Sequence, residues 1–503
     1  MKLKRTAAFF MATLMAGTLL SGCSSGNESK TSQGNGEKGS PEEIVFAFQL
    51  GKTVDLEPIE EALNEILIPK INVKVNLESY SWSNYDTQIS LMQSGGEQID
   101  VISMCPNFST YLTNNQLMAM DNLLDEYAPE AKELIGDKFL KSTSKGGSVY
   151  ALPVYCPKTD VNGVHIRKDL VDELNLPVDQ IKEAETFEEY IENMDLLTQI
   201  FQTIHEAHPE LALVPGSQNP ASFRVTEIPF TDTLGDNLGV LMDGDEKNIV
   251  NMYESEEFKT LTEYMYQWNQ DGFILEGAMT PQEAADTYLK NGRAFAYFEP
   301  GPDVESMEAK VQRATGYEVV WKKLTKPFVT TNLVNNSAFG ISTTSQHPEA
   351  AMKFLNEMYT NADVVNILDF GVEGVNWEEK DGGFIGYPNG VTAENSTYDI
   401  GMTWYFGNKF LAKTWEGDIP INVEEAIAAN NSARTSQALG FTYDSTKVST
   451  EIAASQYLPG LLCGFLNPDE TIPEFLDALE NAGIGKVIQE KQTQYDSWIA
   501  ENN

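Results

Sequence analysis

From residue 43 onward the apolar positions switch between continuous runs, strict alternation and helical spacing. Residues 44–48 form a short apolar run ending at Gln49-Leu50-Gly51, after which Ile59, Leu63, Ile66 and Leu67 recur at the interval of a helix face. Ile71, Val73, Val75 and Leu77 alternate with polar residues, which predicts a strand over 71–77. Tyr85, Ile89 and Met92 mark a second helix stopped by Gly95-Gly96, and residues 99–104 read as a third strand. Repeated βαβ units predict a parallel, doubly wound sheet whose ligands bind in loops beyond the carboxyl ends of its strands.

Helical patterns dominate the middle of the chain, over 187–205 and 257–269. In the second of these Phe258, Leu261, Met265 and Trp268 share one face, which makes Trp268 a core residue. A helix from Pro281 stops at Asn291-Gly292, and residues 294–298 predict a strand followed by Glu299-Pro300-Gly301. Residues 339–342 predict another strand. Pro348 then opens a helix carrying Met352, Leu355 and Tyr359, because proline costs nothing in a first turn. A further helix over 363–370 ends at Gly371.

The 503 residues hold 75 Asp and Glu against 34 Lys and Arg, a formal charge of −41. That excludes a nucleic-acid binder, whose affinity comes from clustered Lys and Arg. With 41% hydrophobic and 10% aromatic residues the body is globular and not an acidic disordered tail. Cysteine adds little: Cys105 and Cys156 each follow a strand-like run and leave open either a disulfide or buried free thiols, and Cys463 stands apart. No cysteine or histidine spacing resembles a metal site, and Asp243-Gly-Asp-Glu reads as a hairpin turn. No catalytic motif with a nucleophile elbow, a phosphate loop or a zinc-binding histidine pair is present, and no cofactor is expected.

The N-terminus supplies a location. Lys2, Lys4 and Arg5 precede an apolar run of 17 residues, Thr6 to Gly22, shorter than a membrane span of about 20. The run ends in Leu20-Ser21-Gly22-Cys23, which resembles a bacterial lipobox. Residues 1–22 are therefore expected to be a lipoprotein signal peptide, with Cys23 lipidated after cleavage. Residues 23–41, rich in Gly, Ser and Asn, form a flexible tether reaching roughly 25 Å.

The order of motifs resembles that of an extracellular solute-binding lipoprotein of an ABC importer, of the class that takes sugars and oligosaccharides. LMQSGGEQIDVISM (91–104), YALPV (150–154), NGRAFAYF (291–298) and FGISTTSQHPEAAMKFLNEM (339–358) carry the resemblance through the body. GVEGVNWE (371–378) and YFGNKF (405–410) are similar to motifs of oligosaccharide-handling members. QALGFTYDSTKVSTEIAA (437–454) and ENAGIGKVIQEKQTQYDSW (480–498) resemble a C-terminal domain of unassigned function that accompanies such binders. The resemblance implies an α/β, two-lobe periplasmic-binding-protein fold, type II-like and hinged, with a C-terminal helical extension. Lobe 1 is expected over 42–155 and 331–415, and lobe 2 with the extension over 156–330 and 416–503. It also implies an oligosaccharide ligand, ABC permease subunits as partners, a monomer, and anchoring at the extracellular face of the cytoplasmic membrane.

A sugar offers hydroxyls to planar polar groups and a C–H face to aromatic rings, so candidates are aromatic or polar residues in loops. Trp82 and Phe108 follow the second and third strands and either line a cleft or close the core. Tyr155 is either a stacking platform or a hinge-packing residue. Glu299 at a strand end is placed to take paired hydroxyls. Trp377, Trp404 and Tyr405 lie in Gly-rich stretches without periodicity, and Gln49 and Arg224 are further polar candidates. Two other readings remain open: a secreted glycoside hydrolase using two carboxylates, and a lipoprotein that binds peptides or another polar solute.

Overall fold

Strand Glu42–Leu50 is buried almost continuously from Ile44 on, as a strand with neighbours on both edges and covered faces must be. The computed structural model describes residues 39–215, 227–243, 247–280, 283–302, 307–448 and 456–502. The expected leader, Cys23, most of the tether, Arg224 and residues 244–246 of the expected turn lie outside them. Glu42–Leu50 pairs in parallel with Val73–Ser81 on one edge and Val101–Ser103 on the other. Ala338–Ile341 and Leu152–Pro153 complete five strands, and both of these pairings are antiparallel. The sheet is thus mixed, and the expectation of a purely parallel one is corrected. Strand Ala338–Ile341 is delivered by a return of the chain from far away in sequence, which local periodicity cannot report.

The predicted strand over 71–77 also shifts. Helix Glu57–Ile71 runs through Ile71 and stops at Asn72, whose φ of 57° and N–H to the Ile68 carbonyl close the last turn. The strand then starts at Val73, with Val73, Val75 and Leu77 buried and the residues between them half-buried. Asp100, fully buried, fastens the next strand: one oxygen accepts the Val45 N–H at 2.9 Å. Its other oxygen accepts the Gln346 and His347 N–H groups just before helix Pro348–Thr360. A carboxylate there satisfies donors at the positive end of that helix.

Two hydrophobic cores result. The first gathers the five-stranded sheet, helix Pro348–Thr360 and buried Tyr398, Tyr405 and Phe406. Phe46 lies at its middle, with ring centroids of Phe48, Phe354, Phe339 and Phe406 between 4.9 and 6.1 Å away. The second is built on a three-stranded antiparallel sheet with Asp160–Arg167 between Ala296–Pro302 and Val319–Lys323. Helices Phe187–Ala207 and Glu256–Gln270 cover it; Trp268 is fully buried and its indole N–H donates to Thr198 Oγ1 at 2.8 Å. Helix Pro468–Ala482 packs Phe475 into this core, whereas Ile427 of helix Val423–Ser432 packs on the first. Tyr495 and Trp498 of helix Ile484–Asn502 stack on each other beside Phe441, in a smaller cluster with Leu234 and Leu241.

The chain passes between the cores near residues 155–160, again near 325–331, and a third time beyond 436. Between these crossings Phe328–Val329 and Arg434–Thr435 form a short parallel pair. None of Cys105, Cys156 and Cys463 is bonded to another cysteine. Among the described residues no helix is long and apolar enough to cross a membrane.

One buried group makes stability depend on pH. Asp369, in the last turn of helix Ala362–Phe370, is 2% exposed, and neither carboxylate oxygen has a hydrogen-bond partner. Burial pushes its carboxyl well above the usual range, and the nearby Lys409 ammonium only partly opposes that. A carboxyl raised in the folded state contributes fully below its unfolded value of about 4 and loses that contribution as pH rises toward the folded value. Asp369→Asn is therefore expected to melt progressively higher than the parent as pH rises from 5 to 8. Parallel melting curves across that window would show that the side chain does not titrate as its surroundings require.

Candidate functional site

The segment 403–410 determines which aromatic rings face solvent. Gly407 has φ 43°, and a Cβ there would lie 2.0 Å from the Met358 carbonyl oxygen, so only glycine lets the chain press onto helix Pro348–Thr360. Asn408 reinforces the contact by donating its side-chain N–H to the Tyr359 carbonyl at 2.9 Å. With the backbone held this way, Tyr405 points into the first core and Trp404 points out. The Tyr405 hydroxyl accepts the Gln49 backbone N–H at 3.0 Å and lies 2.8 Å from Ser103 Oγ. The Gln49 side chain donates to the Cys105 carbonyl at 3.1 Å. Burial pushes the Tyr405 phenol far above its ordinary range, so it stays neutral.

Gln49 and Tyr405 are therefore corrected from ligand contacts to a buried polar hub: their hydrogen-bonding capacity is spent on each other and on strand ends. Phe108 is corrected too. It is fully buried beside Tyr85 and Tyr111, because helix Phe108–Thr113 folds back over the sheet and leaves no ring face for a solute. Tyr155 takes the hinge-packing role: its N–H donates to Gly407 O at 2.8 Å and its ring meets Phe410 edge-on at 5.1 Å. Trp377 is buried against Phe370 and Ile385, and its indole N–H donates to Gly371 O at 3.0 Å, so it too is corrected to a packing residue.

Three candidates keep accessible surface. Trp82 and Trp404 are 37% and 39% exposed, the two exposed tryptophans of the chain's seven. Their rings stand 5.9 and 5.7 Å from the buried Tyr405 ring. Glu299 is partly exposed; its carboxylate lies 3.3 Å from both His165 Nε2 and Lys310 Nζ. Burial raises its pKa, but the His165 N–H and the Lys310 charge outweigh that and hold the carboxyl below its usual value. His165 itself is fully buried between Tyr297 and Trp321, and burial lowers its pKa, so the imidazole is neutral.

A cleft of about 760 Å³ opens beside Trp404. One wall comes from segment 403–423, which is attached to the first core through Phe406 and Phe410 and to a small cluster of Phe370, Trp377 and Ile385 through Trp415. The other wall is helix Met307–Thr315, whose Val311 packs with Tyr297 and Val319 on the second sheet. The crossing residues Cys156, Pro157 and Thr159 join the two. The space thus lies between the cores at their hinge, where concave sites between lobes form. Sequence reasoning missed Lys310, Arg313, Lys409, Lys413 and Trp415, all of which line it. Lys409 stands within YFGNKF and was within reach of that motif; Lys310 and Arg313 sit on an ordinary helix with no local signal.

Comparison with known proteins places this architecture. A carbohydrate ABC transporter substrate-binding protein of Streptococcus pneumoniae serotype 4 is 25% identical, across 98% of this chain and 97% of its own. Among solved structures, the N-glycan transport solute binding protein NgtS of Streptococcus pneumoniae is 22% identical, with a TM-score of 0.76 over 92% of this chain and 100% of that one. Its complex with Man5GlcNAc gives 0.66 at 22% identity, over 92% and 99%. The alginate-binding protein AlgQ2 without calcium ion gives 0.60 at 18% identity, over 91% and 99%. These likenesses establish the two-lobed α/β fold with its C-terminal helices. Residues 437–500 match a domain of unknown function, DUF3502. The model of the bacterial extracellular solute-binding proteins matches residues 56–365, more than half of the chain, and the chain belongs to that family.

Proposed function

We propose that this protein captures an oligosaccharide in the cleft between its lobes and hands it to the permease of an ABC importer. The observation that carries the reading is the cleft itself: an exposed indole, Trp404, stands among ammonium, guanidinium and hydroxyl groups at a hinge between two separate cores. An indole face and hydrogen-bond donors are the two surfaces a sugar ring requires. The carbohydrate and N-glycan names of its relatives agree with that chemistry. Ligand contacts to both walls favour the closed arrangement by their differential affinity, and the permease reads the closed surface.

In this reading Trp404 and Trp82 are platforms, and Glu299 is a polar contact from the second lobe. The protein acts as a monomer without catalysis, held to the outer face of the cytoplasmic membrane by lipid on Cys23, as the Leu20-Ser21-Gly22-Cys23 sequence supports. Labelled palmitate is expected in the parent and absent from Cys23→Ala; equal labelling would refute the anchor.

A thermal-shift panel of oligosaccharides, peptides and amino acids tests the reading. A ligand at 100 times its Kd stabilises by about 2.7 kcal/mol. The expected result is a shift with one glycan series, which is recovered intact by chromatography. Cleaved glycan would instead establish the hydrolase, and a shift with peptides alone would discard the sugar.

A further inference from the structure

The cleft carries an electrostatic signature that narrows its substrate, given the capture of glycans proposed above. Across the chain carboxylates outnumber Lys and Arg, 75 to 34. The cleft reverses this: Lys310, Arg313, Lys409 and Lys413 line it, and Asp418 is the one carboxylate among its lining residues. Clefts concentrate the field of their lining charges, so a reversal confined to the cleft selects for ligand charge.

Three of these cations already have carboxylate neighbours. Arg313 meets Asp418, Lys310 lies 3.3 Å from Glu299, and Lys413 lies 2.8 Å from Glu379. All three pairs have solvent access, and such pairs contribute little and are readily shared or exchanged. Lys409 differs. Among the described residues no carboxylate stands within ion-pair distance of its ammonium, which donates a long hydrogen bond to the Thr403 hydroxyl at 3.5 Å. Burial lowers its pKa. Asp369, which adds an attraction, has no hydrogen bond to it and is held toward its neutral form by its own burial. A half-buried ammonium without an anion beside two exposed or half-exposed indoles, Trp404 and Trp415, leaves one partner unfilled.

We propose that the captured solute is an acidic oligosaccharide, with an anionic substituent seated against Lys409 while a neighbouring ring stacks on Trp404. The anion supplies the charge-assisted hydrogen bond that the folded chain does not provide for Lys409. Its excess negative charge is met by Lys310, Arg313 and Lys413 around the rim.

Calorimetric titration of the protein with four series of matched length tests this: oligogalacturonides, their methyl esters, chondroitin sulfate oligosaccharides and neutral manno-oligosaccharides. One acidic series is expected to bind at least about tenfold tighter than any neutral series, and to weaken as NaCl rises from about 0.05 to about 0.5 M. The galacturonide and sulfate arms separate a carboxylate from a sulfate. Lys409→Met is expected to remove about tenfold or more of the acidic affinity, and Lys409→Arg to retain most of it. Lys413→Gln gives a second reading at a more exposed position should Lys409→Met fail to fold. A neutral series binding as tightly as the acidic ones overturns the charge assignment and leaves glycan capture standing. Unchanged acidic affinity in Lys409→Met also overturns it. Binding to none of the glycans, with a shift by peptides, overturns both.

Discussion

Trp404→Ala is expected to weaken glycan binding by roughly 10- to 60-fold while leaving the fold intact. The estimate follows from the area at stake: covering one face of an indole removes on the order of 60–100 Å² of apolar surface from water, or about 1.5–2.5 kcal/mol. The ring is 39% exposed and rests edge-on against Tyr405, so its removal opens no internal cavity. Stability should therefore change by less than about 0.5 kcal/mol. Calorimetry with the glycan found in the panel, paired with a melting curve, checks both halves. Unchanged affinity in the Trp404→Ala protein would move the platform elsewhere, with Trp82, which also meets the Tyr405 ring, next to be tested. A large fall in melting temperature would show that the indole supports the core instead of the ligand.

Phe46→Ala is expected to be the most damaging single change in the first lobe, costing about 3–5 kcal/mol. The Phe46 ring is fully buried and meets four other phenylalanines, contributed by its own strand, by Ala338–Ile341, by helix Pro348–Thr360 and by the segment ahead of Gly407. Truncation leaves a void that none of these elements can fill, because each is fixed by its own backbone hydrogen bonds. In a lobe of this size the melting transition should fall by roughly 6–15 °C. A drop below about 2 °C would mean that the neighbouring rings collapse into the space, and that the core is less constrained than its packing implies.

The two substitutions separate jobs that the sequence leaves intertwined. Trp404, Tyr405 and Phe406 are consecutive aromatic residues in a Gly-rich stretch without periodicity. Nothing local distinguishes the ring that faces solvent from the two that fill the core. Gly407 makes the distinction, since its backbone approach to Met358 fixes the direction of the preceding residues. The same limit explains Gln49 and Phe108. Gln49 closes a strand and Phe108 follows one, where ligand contacts are expected, yet the first is consumed by Tyr405 and the second is folded under by its own short helix.

Local spacing alone reveals the alternation of strands and helices, the placement of Trp268 in a core, and the helix starts at Pro348 and Phe187. Each of these rests on spacing within one element or on a cap within one turn, and such signals survive without tertiary contacts. Motif order also carried the family, because LMQSGGEQIDVISM and its companions are short stretches that can be read along the chain, although what Asp100 does at the entry to the Pro348 helix, 246 residues away, cannot be read there. The mixed sheet, the buried hub of Gln49 and Tyr405, and the cationic cleft come instead from contacts between distant segments. Lys310 and Arg313 come from a helix on one lobe, and Lys409 and Lys413 from a segment about a hundred residues later on the other. Their shared field arises when the hinge brings two cores face to face, and a one-dimensional pattern of hydrophobic and polar positions holds no record of that distance.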